Sequence, residues 1–346
     1  VFNNFLHWIF RNRYLLAAQT IDVLIFLGTL VLTLFALAFQ VWLALAVLSF
    51  GLLWIYARHA PRYSEGYQVR AITYMNQGLY KEALADFNKA LKLDPKNGSA
   101  YSERGVLLVD VGDTDQAFKD LDQGISLLPT DPMMYFHRSV GHLALGKPDK
   151  AIEDLDQAIL LGLIHCNTYF VRGNANMDLE RWEDAKADFD KSLQFSPHGV
   201  DILVRRAEAF VRLGNPSEAV TDCLTALKYD PNSESAYINL AFTYIEMKEP
   251  EKAKDACDEA LRLNPNLGVG YFNRAGAWIM KACVPEALRD LKTAYTYDAQ
   301  YRSKALIDPD FEILWHDPAF LLWIQETEEE AQVEAENPGN VPLENA

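Results

Sequence analysis

The chain has 346 residues, 50% of them hydrophobic, and a formal net charge of −16. That is enough for a sizeable core, either in more than one domain or in one extended array. Residues 1–63 are net +3 and the remaining residues net −19, which argues against a nucleic-acid role for the part beyond residue 63. Four cysteines (Cys166, Cys223, Cys257, Cys283) show no C-x-x-C pair and no disulfide-scaffold density. They read as small buried residues in a reducing compartment.

From Val23 to Ala57 the chain runs 35 residues without a charge, which points to membrane insertion. As one helix this stretch would be about 52 Å long, against a hydrocarbon core of about 30 Å. Two spans fit if the first begins around Tyr14 and the chain turns near Phe39, Gln40 and Val41. Arg11 and Arg13 precede the first span while Arg58 and Arg62 follow the second, so both ends belong on the positive, cytoplasmic side. Trp8, Tyr14, Trp54 and Tyr56 would lie near that interface, and Asp22 near the headgroups. A cleaved signal peptide is disfavoured by the length of the run and by the lack of a small-residue cleavage site before "ARHAPRY". Val1 reads as an alternative start codon or a fragment boundary.

Beyond Pro61 a strict 34-residue period takes over. Its anchors are Ala83, Ala117, Ala151, Ala185, Ala219, Ala253 and Ala287, and sixteen residues before each stands Tyr67, Tyr101, Tyr135, Tyr169, Leu203, Tyr237 or Tyr271. Small residues at the eighth position (Ala71, Gly105, Ser139, Gly173, Ala207, Ala241, Ala275) would let two helices approach closely. Gly78, Gly112, Gly146 and Gly214 would end the first helix, and Pro95, Pro129, Pro197, Pro231 and Pro265 close the second. Leu163 and Ala299 replace that Pro in repeats three and seven, so different junctions are expected there.

This pattern resembles the tetratricopeptide repeat over residues 64–299, in seven copies. The resemblance implies an all-α, right-handed superhelix, an α-solenoid of helix-turn-helix repeats, here with an N-terminal transmembrane helical hairpin. The domains expected are a membrane anchor (1–63), seven repeats (64–299), a capping segment (300–325) and an acidic disordered tail (326–346). The cap, "KALIDPDFEILWHDPAFLLWIQ", would cover the apolar face of the last repeat. The tail has seven Glu and no Lys or Arg.

At the seventh position stand Arg70, Arg104, Arg138, Arg172, Arg206 and Arg274, each followed sixteen residues later by Asp86, Asp120, Asp154, Asp188, Asp222 or Asp290. Repeat six has Leu240 and Ala256 instead. Joint loss of both members points to structural ion pairs between the helices of a repeat rather than an anion-binding stripe.

Little else suggests chemistry. "GHLALGKP" (141–148) has P-loop spacing, but Pro148 stands where Ser or Thr would hold Mg²⁺ and no strand precedes it. His137, His142, His165 and Cys166 match no zinc spacing, and Cys223 and Cys257 fall at core positions. No nucleophile–base motif is found, so neither an enzyme nor a cofactor is expected. By the resemblance, the first helices build a concave groove for a protein or peptide segment. Its fifth positions are Gln68, Ser102, Phe136, Phe170, Val204, Ile238 and Phe272, turning from polar to apolar. The groove residues expected are Met133, Phe136, Phe170, Asn174, Met177, Arg205, Ile238, Asn239, Phe242, Phe272 and Asn273, with Arg212 as a further basic group. The basic clamp by which some relatives hold a chaperone's terminal carboxylate is missing at Gln68, Ile72, Ser102 and Val106. The function expected is a scaffold at the bacterial inner membrane with its repeats in the cytoplasm. The partners expected are a protein and the lipid bilayer, with no nucleic acid or small-molecule substrate. The alternatives are a constitutive subunit of a membrane complex and a regulator of a separate enzyme.

Overall fold

The computed structural model describes residues 63–336; the expected membrane hairpin lies outside them. Among the described residues no helix is long and apolar enough to cross a membrane. The chain divides into two compact units, one ending at Leu127 and one beginning at Leu128. In the first, helices α1 (Ser64–Asn76) and α2 (Tyr80–Leu93) pair, as do α3 (Gly98–Asp110) and α4 (Thr114–Leu127). In the second unit the pairs are α5 (Pro132–Ala144) with α6 (Pro148–Leu160), and α7 (Cys166–Asp178) with α8 (Trp182–Phe195). They continue with α9 (Val200–Arg212) and α10 (Pro216–Tyr229), α11 (Glu234–Glu246) and α12 (Pro250–Leu263), and α13 (Gly268–Met280) and α14 (Val284–Tyr297).

The seven anchor alanines are fully buried. Opposite them the eighth position must be small. A Cβ added to Gly105 would lie 2.7 Å from Leu121 Cγ, and one added to Gly173 would lie 2.6 Å from Phe189 Cε1. The first helix of each pair ends on a residue in the left-handed region. Gly214 takes it at φ +75°, but Glu180, Lys248 and Ala282 take it at +56° to +58° in repeats four, six and seven. A side chain there is disfavoured by about 1–2 kcal/mol, so packing of the pairs overrides local preference at three junctions.

The junction at Leu163 differs as expected. Helix α6 stops at Leu160, and Gly162 at φ +100° turns the chain, its N–H bonded to the Ile159 carbonyl. His165 then caps α7, its ring nitrogen accepting from the Asn167 N–H at 3.3 Å. At Ala299 the array gives way to α15 (Gln300–Ile307), a 3₁₀ turn (Pro309–Leu314) and α16 (Pro318–Glu336). Phe311, Leu314, Phe320, Trp323 and Ile324 cluster with Ala275, Ala287, Leu288 and Leu291, closing the end of the last repeat. One expectation is corrected here: residues 326–336 of the presumed disordered tail continue α16. Glu, Gln and Ala favour a helix and no Pro interrupts before Pro338. Thr327 joins the fold, 4% exposed, with its hydroxyl donating to the Trp323 carbonyl.

All six Arg–Asp pairs form, at 2.5–2.7 Å. The aspartates are only 2–8% exposed and the arginines 15–26%. Arg70, Arg104, Arg172 and Arg274 also lie 5.2–5.7 Å over the ring of Tyr67, Tyr101, Tyr169 or Tyr271. The recurrent aromatic thus carries the guanidinium on its face.

The guanidinium also reaches backward to the preceding repeat. Its Nη1 meets Asn88 from Arg104, Asp156 from Arg172, Asp190 from Arg206 and Asp258 from Arg274, at 2.5–2.7 Å. Burial alone would raise the Asp258 carboxyl, but Lys254 and Arg274 hold it below the ordinary carboxylate range. Repeat six has Leu224 at the backward position, so all three polar members of the bridge are replaced together. Repeat six therefore supplies the comparison. Asp222→Ala should lower unfolding free energy by at least about 2 kcal/mol, because Arg206 loses its buried partner. Arg206→Leu with Asp222→Ala should be less destabilised than Asp222→Ala alone, as chemical denaturation will show.

Candidate functional site

Helices α7, α9 and α11 are first helices of consecutive repeats, and their side chains line a cavity of about 410 Å³. Phe170 and Asn174 come from α7, Asp201, Val204, Arg205 and Glu208 from α9, and Ser235 and Asn239 from α11. Spacings of three and four put each set on one helical face. The floor is apolar: Val204 is 5% exposed, and Phe170 sits 6.0 Å from the buried Phe189 ring. A larger cavity, about 580 Å³, lies between α14 and the Asp317–Ala319 turn, where the cap meets the last repeat.

The polar groups divide into committed and uncommitted. Arg205 Nη1 donates to Glu208 at 3.1 Å, and Asn239 Nδ2 donates to the Ser235 carbonyl at 3.2 Å. Asn174 Oδ1 is buried and accepts no hydrogen bond from the described residues. Such an acceptor costs free energy until a donor reaches it. Arg212, the other basic group expected in the groove, lies 5.8 Å from the Trp182 ring and 5.7 Å from the Phe242 ring.

Five of the expected residues stand elsewhere than on an open groove wall. Met177 (8% exposed) packs with Phe189 and Leu193 in the core, and Asn273 is 9% exposed. Phe272 lies against Tyr301 and Phe311 of the terminal segment, at 5.2 and 5.0 Å. Phe242 is overlaid by Arg212, and Ile238 packs toward α13, whose Gly270 would bring an added Cβ within 3.5 Å of it. Met133 is 37% exposed and Phe136 half-buried, both on α5. Phe170, Asn174, Arg205 and Asn239 are brought together. Asp201 and Ser235, at the second position of their repeats, and Glu208, at the ninth, also line this cavity and were not among the expected residues.

The polar end of the expected groove is spent on internal bonds. Gln68 Nε2 donates to Glu103 at 2.9 Å, while Asn97 Nδ2 donates to Gln68 at 2.8 Å and to Ser64 at 3.1 Å. Burial raises the Glu103 carboxyl above its ordinary value, with Gln68 partly offsetting it.

The tetratricopeptide repeat family profiles match residues 64–97, 200–233 and 235–267. The remaining pairs repeat the same spacing, anchor alanine and Arg–Asp bridge. Over the matched residues the chain is built of tetratricopeptide repeats, and the described part as a whole is a TPR-like array of seven helix pairs. A tetratricopeptide repeat protein from Parabacteroides merdae has a similar crystal structure, with a TM-score of 0.57 at 17% identity over 69% of this chain and 96% of that one. A chain of the APC/C hetero-tetramer Cut9–Hcn1 gives 0.55 at 18% identity, over 69% of this chain and 46% of that one. YrrB, a TPR protein with an unusual peptide-binding site, gives 0.47 at 18% identity, over 53% of this chain and 95% of that one. At these identities the first two likenesses speak for the fold alone. No curated protein matches the chain.

In this repeat array Cys223 and Cys257 are packing groups. All four are free; Cys223 and Cys257 are fully buried, and burial pushes the Cys223 thiol up to about 12. Burial raises the Cys257 thiol as well. Among the described residues no three His, Cys, Asp or Glu side chains are grouped to hold a metal ion. A thiol-reactive maleimide at neutral pH should label the half-buried Cys166 and Cys283 and spare Cys223 and Cys257 until denaturant is added, as peptide mass mapping will show.

Proposed function

We propose that this protein is a membrane-anchored scaffold that holds an extended segment of a protein partner along its first helices and recruits that partner to a membrane-associated complex. The observation that carries the reading is the α7–α9–α11 cavity, with its apolar floor and the buried, unpartnered Asn174 Oδ1. A backbone N–H is the donor every extended peptide offers. Three neighbouring helices at about 8–10 Å between axes span about 16–20 Å, the length of about five or six extended residues. Tetratricopeptide repeats as a family serve as protein- and peptide-binding scaffolds. The anchor rests on the uncharged run from Val23 to Ala57 and the arginines flanking it, which support a bacterial inner-membrane location with the repeats on the cytoplasmic side.

The test is affinity capture of the full-length chain from alkaline-washed, gently solubilised membranes. Asn174→Ala with Asn239→Ala is compared with the unaltered protein, and circular dichroism confirms that both fold. The partner should fall about tenfold in the variant, the loss of one or two hydrogen bonds. Full recovery of the partner would move its site away from the cavity, and release of the chain by the alkaline wash would overturn the anchor.

A further inference from the structure

The polar chemistry of the α7–α9–α11 cavity is unbalanced. It holds two carboxylates, Asp201 and Glu208, against one guanidinium, Arg205. That guanidinium already bonds Glu208, an i,i+3 partner on its own helix. Asp201 has no hydrogen bond or ion pair among the described residues, and it stands in the first turn of α9. Asn174 adds a buried acceptor with no donor among the described residues, and Asn239 uses its amide N–H on the Ser235 carbonyl. The neighbouring basic residue, Arg212, is held between Trp182 and Phe242. The site is therefore rich in acceptors and carries one negative charge beyond its internal pair, in a chain of net charge −16 that draws cations toward it.

Resting on the peptide-binding reading, we infer that the cavity selects an extended peptide segment that presents a lysine or arginine side chain toward Asp201, with Phe170 and Val204 taking the aliphatic stem. A cationic head on an apolar stem matches an apolar floor with an acidic rim. An acidic segment would have to displace Glu208 from Arg205 and leave Asp201 facing a like charge, so charge discriminates against it.

The experiment offers the full chain in mild detergent a randomised library of twelve-residue peptides. The bound set should be enriched in Lys or Arg at one position flanked by apolar residues. For one selected peptide, replacing that cation by Gln should weaken binding about tenfold. Asp201→Asn should weaken the cationic peptide by a similar factor while leaving the Gln peptide unchanged, and raising salt from 50 to 300 mM should reproduce the trend. Asp201→Glu should restore most of the binding, separating charge from any effect on helix α9. Peptides bound without a cation preference, or with an acidic one, would overturn this inference and leave the peptide-binding reading standing. No peptide bound by a protein that circular dichroism shows to be folded would overturn both.

Discussion

A buried aspartate on the second helix of six of the seven repeats is the constraint around which they are organised. Asp86, Asp120, Asp154, Asp188, Asp222 and Asp290 are almost removed from water, where an uncompensated carboxylate costs several kcal/mol. Each is bonded by the arginine sixteen residues earlier on the first helix, so the pair fixes how far the two helices can slide. The same guanidinium, resting on a tyrosine face, then reaches the preceding second helix at Asn88, Asp156, Asp190 or Asp258. One side chain thereby sets register inside a repeat and between repeats.

Repeat six shows what that arrangement contributes. With Leu240 and Ala256 in place of the ion pair, the helices pack around Cys223, Cys257, Ala241 and Tyr244, while Leu224 stands half exposed. An apolar contact fills the role without any ion, as expected where desolvation consumes most of the Coulombic gain. The ladder is then a device of register more than of net stability. Register matters here because the cavity on the first helices exists only if α7, α9 and α11 hold their relative heights.

Features that recur at a fixed interval were legible in the sequence because each repeat meets the same neighbours. The period gave the helix pairs, the eighth-position small residues their close approach, and the joint replacement of Arg and Asp by Leu240 and Ala256 the ion pairs. The terminal cap was legible from its apolar run, and the Leu163 junction from its missing Pro. What escaped was set by neighbours that break the period. Phe272 is covered because the last repeat meets Tyr301 and Phe311 rather than another repeat. Met177 and Asn273 are buried by their own helix pairs, although the groove reading placed them on its wall. The helix through residues 326–336 escaped because a run of glutamates was read by its charge, while its helix propensity prevailed. Asp201, Glu208 and Ser235 escaped because a cavity shared by three helices is a pattern across repeats at several positions at once.

The fold itself carries no particular ligand, so selectivity has to come from groups that the fold leaves unsatisfied. At the N-terminal end, Gln68, Asn97, Ser64 and Glu103 satisfy one another, and a ligand there would break bonds as fast as it made them. Arg212 is likewise spent between two aromatic rings. Around α9 the balance differs. Among the described residues Asn174 Oδ1 accepts no hydrogen bond and Asp201 forms no ion pair, so binding there adds interactions at both. That asymmetry, more than the number of polar residues along the helices, is why the proposed recognition site is the α7–α9–α11 cavity.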